Sequence, residues 1–254
     1  APDLQGFFSS ASLTSMQRPA GATGLIVSQE ERDKLHAGNI YTRVAKEEAG
    51  ASQVDEKSSK EFLADKNPDR GYNRFWMEPG ADLGMINGQY RSSWIVEPAD
   101  GRIPYINAAA AGGRGGLSNS EEEFADRSSD NPEDRGISER CIWFGSSAGP
   151  VLSNGMYNNT MQFVQSPTSV AIEVEMIHDV RIIPIVANKA AVKHGTVPRW
   201  GGDSVGWYEG DTLVVETVNV RQDQRPHITE TGKTTERFTR WKDDEILYQF
   251  RVED

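Results

Sequence analysis

The chain has 254 residues, a hydrophobic fraction of 37% and a net charge of −11, from 27 Lys and Arg against 38 Asp and Glu. An acidic chain lacks the basic footprint that nucleic-acid phosphates require, and an anionic membrane surface repels it, so neither partner is expected. No apolar run approaches the roughly 20 residues that cross a bilayer, so we expect no membrane insertion. The single cysteine, Cys141, excludes an internal disulfide and a cysteine-rich metal site.

The chain begins Ala1-Pro2-Asp3, without a methionine. Such a start is typical of a protein from which a signal peptide has been removed, and it predicts a periplasmic or secreted protein. A chain shortened for another reason would begin in the same way, so this alternative stays open.

The first part of the chain contains one short strand pattern and one helical region. The strand is expected at 4–9. The helical region is 28–65, where Ser28 stands as an N-cap and Glu31 follows at the spacing of a capping box. The region is charged and poor in large apolar residues, so we expect it to cover a surface and not to form the core.

A hairpin and a long loop are expected next. The strand that begins at Gly71 would pair with the stretch 91–98 around a turn at Asn87-Gly88. Residues 107–140 combine a glycine-rich piece with a charged, polar piece and match no phosphate-binding loop. We therefore expect 107–140 to be a long connecting loop.

From Cys141 onward a β pattern dominates the chain. The runs follow in the order CIWFG, MYNNTMQFVQ, SVAIEVEMI, VRIIPI, WYEGDTLVVETVNV, TTERFTRW and EILYQFRVED. Short strands joined by tight turns, with no helix between them, predict an antiparallel meander. The expected fold is all-β: a single domain over 1–254 whose meander closes into a lipocalin-like β-barrel, with one or two short helices near the N-terminus.

Alternation of side chains along a strand assigns residues to faces. Val170, Ile172 and Val174 make one apolar face, and Glu175 lies on the other, mixed face. Continued through the following turn, the same alternation places Arg181 on the mixed face.

Glu216 interrupts an apolar row that contains Val214 and Val218. If this row is buried, Glu216 needs a partner such as Arg237 or Arg181, because an unpaired buried charge costs several kcal/mol or is neutralised by a pKa shift. If the row lines a cavity, Glu216 is an acid–base catalyst or a ligand contact.

The strand–turn–strand unit around Asp179 predicts a proton-transfer site. A carboxylate and an imidazole close together can exchange protons near neutral pH. We predict Glu175 or Glu216 as the base, His178 as the acid or relay, and Arg181 as the contact for an anionic or carbonyl oxygen. The alternative is a salt-bridged turn with His178 in the core.

Metal and nucleophile chemistry are poorly supported. The four histidines, His36, His178, His194 and His227, show no spacing typical of a zinc site. No GxSxG nucleophile elbow is present. We therefore expect no cofactor and no metal.

Aromatic residues occur on most of the predicted strands. Those that line a barrel would contact a small apolar or aromatic molecule. The ligand contacts predicted in addition to Arg181 are Trp207, Asp203, Tyr157, Asn158 and Asn159. The alternative is that the aromatic side chains form core and the asparagines form a turn.

Several longer stretches carry a resemblance to a family: DLQGFF, GYNRFW, WIVEPADGRIPY, NPEDRGISERC, EMIHDVRIIPI, GDSVGWYEGDTLVVET and ERFTR with LYQFRVED. The chain resembles, through these stretches, a family of exported bacterial β-rich proteins that carries no assigned activity. The stretches are spread over most of the chain. The opening segment and the turn-linked strands are similar to those of lipocalin-type (calycin) barrels, with Phe7 and Phe8 where the calycin opening has a tryptophan. The resemblance implies a barrel and lends no catalytic residues.

Three functions follow from these patterns. The first is an exported enzyme that transforms a small apolar or aromatic molecule by cofactor-free acid–base chemistry, as an isomerase, lyase or dehydratase does. The second is a non-catalytic periplasmic carrier of lipocalin type. The third is a structural domain whose charges only pair with one another.

Overall fold

The computed structural model of the chain describes residues 1–39, 41–43, 78–105, 131–132, 140–143, 149–221, 228 and 231–253. Three elements predicted from the sequence concern residues that are largely outside these ranges. The strand that begins at Gly71, the helical cover between 44 and 65, and most of the loop 107–140 lie outside the described residues.

The chain divides into two compact units by the proximity of its Cα atoms. Unit 1 comprises Ala1–Ser10, Tyr105–Ser153 and Thr160–Asp254, and unit 2 comprises Ala11–Pro104 and Asn154–Asn159. Each unit has its own hydrogen-bonded sheets and its own apolar cluster.

Most of the regular secondary structure of the described residues is β-strand, and helical residues occur only near the N-terminus, in Gln29–Gly38 and at 41–43, apart from short 3-10 turns. In chain order the elements are β1 (Gly6–Ser9), β2 (Ile26–Val27), α1 (Gln29–Gly38), β3 (Met85–Ile86), β4 (Gln89–Arg91), β5 (Thr160–Gln165), β6 (Ser169–Val174), β7 (Val180–Pro184), β8 (Asp203–Glu209), β9 (Thr212–Val218), β10 (Lys233–Lys242) and β11 (Glu245–Glu253). Short 3-10 turns occur at Met176–His178 and Lys189–Ala191.

Unit 1 contains two four-stranded antiparallel sheets. The first has the order β1-β5-β6-β7 and the second the order β11-β10-β9-β8. Strands that follow one another in sequence mostly pair with one another, as the turn-linked pattern predicts. The turn from β8 to β9 is made by Gly210 and Asp211, and Gly210 has a positive φ of 59°, which glycine adopts without a steric penalty. The expected antiparallel all-β character is confirmed.

The two sheets of unit 1 bury one face each against a common core. Ile172 and Val174 of the first sheet and Val215 of the second belong to the same buried cluster. Phe163 and Phe238 meet edge to face between the sheets, with ring centroids 5.6 Å apart. Alternation along each strand therefore places every second side chain in the core, as a half-buried sheet requires.

One β-bridge joins the edges of the two sheets. Ile185 pairs with Gly206 in a parallel bridge, and the Val186 N–H donates to the Gly206 carbonyl at 2.8 Å. A Cβ on Gly206 would lie 3.0 Å from side-chain atoms of both Ile183 and Ile185, so these side chains would have to shift by a few tenths of an ångström to admit one. Among the described strands no sheet closes into a barrel, so the structure shows the antiparallel β class without the lipocalin-like closure.

In unit 2 the helix α1 begins as predicted. The Ser28 hydroxyl accepts the Glu31 N–H at 3.3 Å. The Glu31 carboxylate does not complete a capping box, because it accepts the N–H and the hydroxyl of Thr23 instead, at 2.9 and 2.7 Å. No helix in the described part of the chain is long and apolar enough to cross a membrane.

A three-stranded sheet of order β2-β4-β3 completes unit 2. Its hairpin turns at Asn87 and Gly88, which have positive φ of 52° and 74°, as two-residue hairpin turns require. The predicted pairing strand 91–98 is wrong in extent, because β4 ends at Arg91. Beyond it the Ser92 N–H donates to the Leu25 carbonyl, outside the hairpin.

An ion pair joins α1 to the segment before β3. Arg32 donates its Nε–H to Asp82 Oδ1 at 2.6 Å, and its Nη2 donates to Asp82 Oδ2. These hydrogen bonds hold the pKa of the Asp82 carboxyl below its ordinary value of 3.8. The Arg32 guanidinium also lies over the Tyr90 ring, 5.6 Å from its centroid.

Replacing Asp82 by Asn is expected to lower the local stability of α1 at neutral pH. A depressed carboxyl pKa contributes stability that is present above the unfolded value of 3.8 and is lost as the pH falls through the lower folded value. The difference between the wild-type protein and Asp82→Asn should therefore be largest at neutral pH and vanish in acid. Hydrogen exchange of the α1 amides across this range measures it, and Glu30→Gln, which removes an exposed pair with Lys34, is the matched control with little effect. A difference that does not depend on pH contradicts the assignment.

Candidate functional site

The candidate site lies on the face of the second sheet that points away from the unit 1 core. Asp203, Val205 and Trp207 share this face of β8, and Val205 lies opposite Glu216 of β9. Val205 and Trp207 are buried although they point away from the core. This face is therefore largely covered, and Glu216 stands at a partly desolvated surface.

His194, in the connection between β7 and β8, lies between two carboxylates. Its Nε2 is 3.2 Å from Glu216 Oε1, within hydrogen-bond distance, and its Nδ1 is 3.6 Å from Asp203 Oδ2. The side chains of His194, Asp203 and Glu216 are 15, 16 and 17% exposed. The three side chains stand in a row, with a hydrogen bond between His194 and Glu216 and with Asp203 just beyond hydrogen-bond distance of the ring. Solvent reaches this row only in part.

The hydrogen bond between His194 Nε2 and Glu216 Oε1 can carry its proton on either side. If Nε2 carries the hydrogen, it donates to the Glu216 carboxylate; if Glu216 carries it, the Nε2 lone pair accepts. The contact therefore offers a path for a proton between the imidazole and the carboxyl group.

Lys233, at the start of β10, supplies a positive charge beside Glu216. Its Nζ lies 3.8 Å from Glu216 Oε2 and 3.4 Å from Glu253 Oε2. The two oxygens of Glu216 therefore face different groups, an imidazole on one side and an ammonium on the other. The carboxylate is held in place and stays partly open to solvent.

The turn on which the sequence prediction centred does not bring its residues together. Glu175 binds Thr160, whose N–H donates to Glu175 Oε2 at 3.2 Å. His178 is exposed in the 3-10 turn, where its φ of 59° is left-handed. Within the described residues, no hydrogen bond or ion pair joins the side chains of Glu175, His178 and Arg181.

The predicted face of Arg181 is wrong. The register of β6 and β7 pairs Ile172 with Arg181 and Ala171 with Ile182, so Arg181 shares the core face with Ile172. Ile182 points outward and is 66% exposed. The turn 175–179 changes the parity of the alternation, so that even positions of β6 and odd positions of β7 share a face. The prediction assumed that the same parity continues through the turn.

Arg181 is instead half of a buried ion pair that spans the two sheets. Its Nη1 and Nη2 donate to Glu236 Oε2 and Oε1 at 2.6 and 3.2 Å, and the two side chains are 4 and 0% exposed. The Tyr248 hydroxyl donates to Glu236 Oε1 at 2.8 Å and accepts the Leu152 N–H at 3.0 Å. Desolvation, reinforced by the Glu236 carboxylate, raises the pKa of the Tyr248 phenol well above 10.0.

A glycine backbone lies directly against the Arg181 guanidinium. A Cβ placed on Gly149, whose φ is 90°, would come within 2.6 Å of Arg181 Nη1. The guanidinium is thus enclosed by β10, β11 and this backbone. Arg181 acts as a structural cation, and both of its terminal nitrogens are occupied by Glu236.

The partners predicted for Glu216 are also wrong. Arg181 pairs with Glu236, and Arg237 donates to Glu209 Oε2 at 2.8 Å. Trp207, a predicted ligand contact, donates its Nε1–H to Glu209 Oε1 at 2.9 Å. The Arg237 and Trp207 hydrogen bonds hold the pKa of the Glu209 carboxyl below its ordinary value.

The remaining predicted ligand contacts, Tyr157, Asn158 and Asn159, belong to unit 2. Asn159 is buried and accepts the Gly155 N–H at 2.8 Å, while its amide donates to the Glu78 carbonyl at 2.9 Å. Asn158 has a left-handed φ of 56°. Asn159 therefore holds a turn, which is the alternative that the sequence left open for these asparagines.

His194 is the member of the site that sequence reasoning missed. It lies in a polar connection and shows no metal-ligand spacing to another histidine. The order of the strands could have indicated it. The connection that carries His194 leads from β7 to the start of β8, where Asp203, a predicted ligand contact, is located. Among the described residues, no group of three or more His, Cys, Asp or Glu side chains is arranged to hold a metal ion.

Comparison with known proteins adds no assignment. No protein-family model matches the chain, no curated protein matches it, and no solved structure matches it. The resemblance to exported bacterial β-rich proteins stays an expectation from sequence, and the site rests on its own geometry.

Replacing Glu236 by Leu is expected to lower the free energy of unfolding by about 3–5 kcal/mol, because Arg181 is left as an uncompensated buried charge. The double variant Arg181→Met with Glu236→Leu should recover most of this loss, since neither charge then remains. Urea unfolding of the three proteins measures the effect.

The exposed pair between Arg237 and Glu209 is the matched control. Glu209→Gln should lower the free energy of unfolding by less than about 1 kcal/mol, because the pair is solvated. Equal losses for Glu236→Leu and Glu209→Gln would show that burial does not set the strength of the Arg181 pair.

Proposed function

We propose that the protein binds a small apolar or aromatic molecule beside Glu216 and transfers a proton on it without a cofactor, as an isomerase, lyase or dehydratase does. The observation that carries the proposal is the 3.2 Å contact between His194 Nε2 and Glu216 Oε1, on a largely covered sheet face. A carboxylate that shares a proton with an imidazole can act as a general base and be restored afterwards.

Glu216, His194 and Asp203 each have a separate role in this reaction. Glu216 takes the proton from the substrate, so it is the catalytic residue. His194 exchanges that proton with Glu216 through Nε2 and acts as the relay. Asp203 lies 3.6 Å from the other ring nitrogen, so its negative charge favours the imidazolium that forms when His194 takes the proton.

The surroundings of Glu216 favour a substrate that carries no negative charge. Asp203, Glu216 and Glu253 are carboxylates, and Lys233 is the ammonium group beside them. An anionic molecule would be repelled by this balance. The Lys233 ammonium can stabilise charge that develops on a neutral carbonyl oxygen when the adjacent carbon loses its proton.

A second candidate function is a carrier of lipocalin type that binds such a molecule and leaves it unchanged. It is favoured by the strand order of unit 1, in which β7 meets β8 at the Ile185–Gly206 bridge. The eight described strands of unit 1 thus follow one another through this bridge, as the strands of a small barrel do, although the bridge is parallel where an up-and-down barrel is antiparallel. The barrel closure expected from sequence belongs to this proposal.

Deuterium incorporation distinguishes the two functions. The probe is β-tetralone, a neutral aromatic ketone whose α C–H bonds are acidic. The reaction breaks the α C–H bond, forms O–H on Glu216 and leaves an enolate, which regains a deuteron from solvent in deuterium oxide. We expect the protein to accelerate this exchange and Glu216→Gln to lower the rate by about a hundredfold to ten-thousandfold, as loss of a general base does.

Glu173→Gln is the matched control, since Glu173 is exposed on the outer face of β6 and the same atoms change. Its exchange rate should equal that of the wild-type protein. Saturable binding of β-tetralone without exchange supports the carrier. A loss of exchange in Glu175→Gln, with Glu216→Gln unaffected, would contradict the proposal and would place the catalytic base at Glu175, in the turn that the sequence predicted.

A further inference from the structure

Asn219, the residue after β9, bonds two points of the connection that carries His194. Its Nδ2 donates to the Gly195 carbonyl at 2.6 Å, and its own carbonyl accepts the Arg199 N–H at 2.9 Å. Asn219 has a left-handed backbone with φ of 55°, which asparagine tolerates better than most residues with a side chain.

The peptide groups on both sides of Gly195 are held by the ends of neighbouring strands. The Gly195 N–H donates to Asp203 Oδ2 at 2.6 Å, and the Gly195 carbonyl accepts from Asn219. Asp203 begins β8 and pairs in register with Val218, the residue before Asn219. The two hydrogen bonds therefore tie Gly195 to adjacent strands from two directions.

This anchoring determines where the His194 ring lies. Gly195 follows His194 directly, so the Gly195 N–H belongs to the peptide plane that starts at the His194 Cα. The contact from His194 Nε2 to Glu216 is 3.2 Å, at the long end of the usual range for a nitrogen–oxygen hydrogen bond. A displacement of about 1 Å would remove this hydrogen bond and, with it, the path for the proton.

We propose that Asn219 is a positioning residue for proton transfer, which acts through Gly195 to hold His194 against Glu216. The inference rests on the proposed function for its effect on rate. Its structural part stands independently, because the hydrogen bond between His194 and Glu216 can be observed without a substrate.

Two variants separate the side chain of Asn219 from its backbone. Asn219→Gly adopts the left-handed φ without strain and lacks the amide donor. Asn219→Asp keeps the size of the side chain and turns an acceptor toward the Gly195 carbonyl in place of the donor. In both we expect the deuterium exchange of β-tetralone to fall in kcat by between about tenfold and a hundredfold, with KM nearly unchanged.

Asn87→Gly is the matched control. Asn87 has the same kind of backbone, with φ of 52°, in the hairpin turn of unit 2. The substitution replaces an asparagine of the same left-handed conformation by glycine, in a turn that includes neither His194 nor Gly195. The exchange rate of Asn87→Gly should therefore equal that of the wild-type protein. Urea unfolding of Asn219→Gly should show no loss of stability large enough to explain its lower rate.

The NMR chemical shifts of the His194 ring nitrogens test the structural part of the inference, namely that Asn219 holds His194 against Glu216. In Asn219→Gly we expect the Nε2 shift to move toward that of an imidazole without the Glu216 partner, as it does in Glu216→Gln. If β-tetralone is exchanged by none of the proteins, the proposed catalysis fails, and a moved Nε2 shift in Asn219→Gly still supports the positioning. An unchanged Nε2 shift in Asn219→Gly overturns the inference, whatever the rates.

Discussion

The ion pair between Arg181 and Glu236 constrains how the two sheets of unit 1 can face each other. One partner stands on each sheet and neither is solvated, so each charge is acceptable only while the other faces it. A slip of one residue in either strand would turn its charged side chain to the outer face, because alternation has a period of two. A slip in β10 would also turn Phe238 outward and break its edge-to-face contact with Phe163, so the apolar core opposes the same slip.

The second sheet carries a different carboxylate on each face. Glu236 points into the core, and Glu216, which pairs with the neighbouring Thr235, points away from it. Glu236 faces a guanidinium, which neither accepts nor releases a proton in a protein. Glu216 faces His194, whose imidazole does both near neutral pH. The proposed proton transfer therefore belongs to the outer face, although burial is more complete on the inner one.

The strand content was predictable because the C-terminal part of the chain repeats a local pattern of alternating residues between turn residues. The positions of β5 to β7 and of β9 to β11 follow from it, and so does the presence of Glu216 in an apolar row. β8 begins at Asp203, four residues before the predicted run that starts at Trp207. The two-unit division and the face of Arg181 were not predictable in the same way. The face depends on the turn between β6 and β7, where Ile177 and His178 both have left-handed φ, and residue types that rarely adopt this conformation give no warning of it.

The site was predictable only for the groups that strands hold. Asp203 and Glu216 lie on β8 and β9, so alternation and register suffice to place them on one face. His194 lies in a connection that two hydrogen bonds hold at Gly195, one to its N–H and one to its carbonyl. Such bonds join residues 8 and 24 positions apart in the sequence and leave no periodic signal. The position of the imidazole in the proposed site is therefore encoded partly by Asp203 and Asn219, the two side chains that hold the backbone at Gly195.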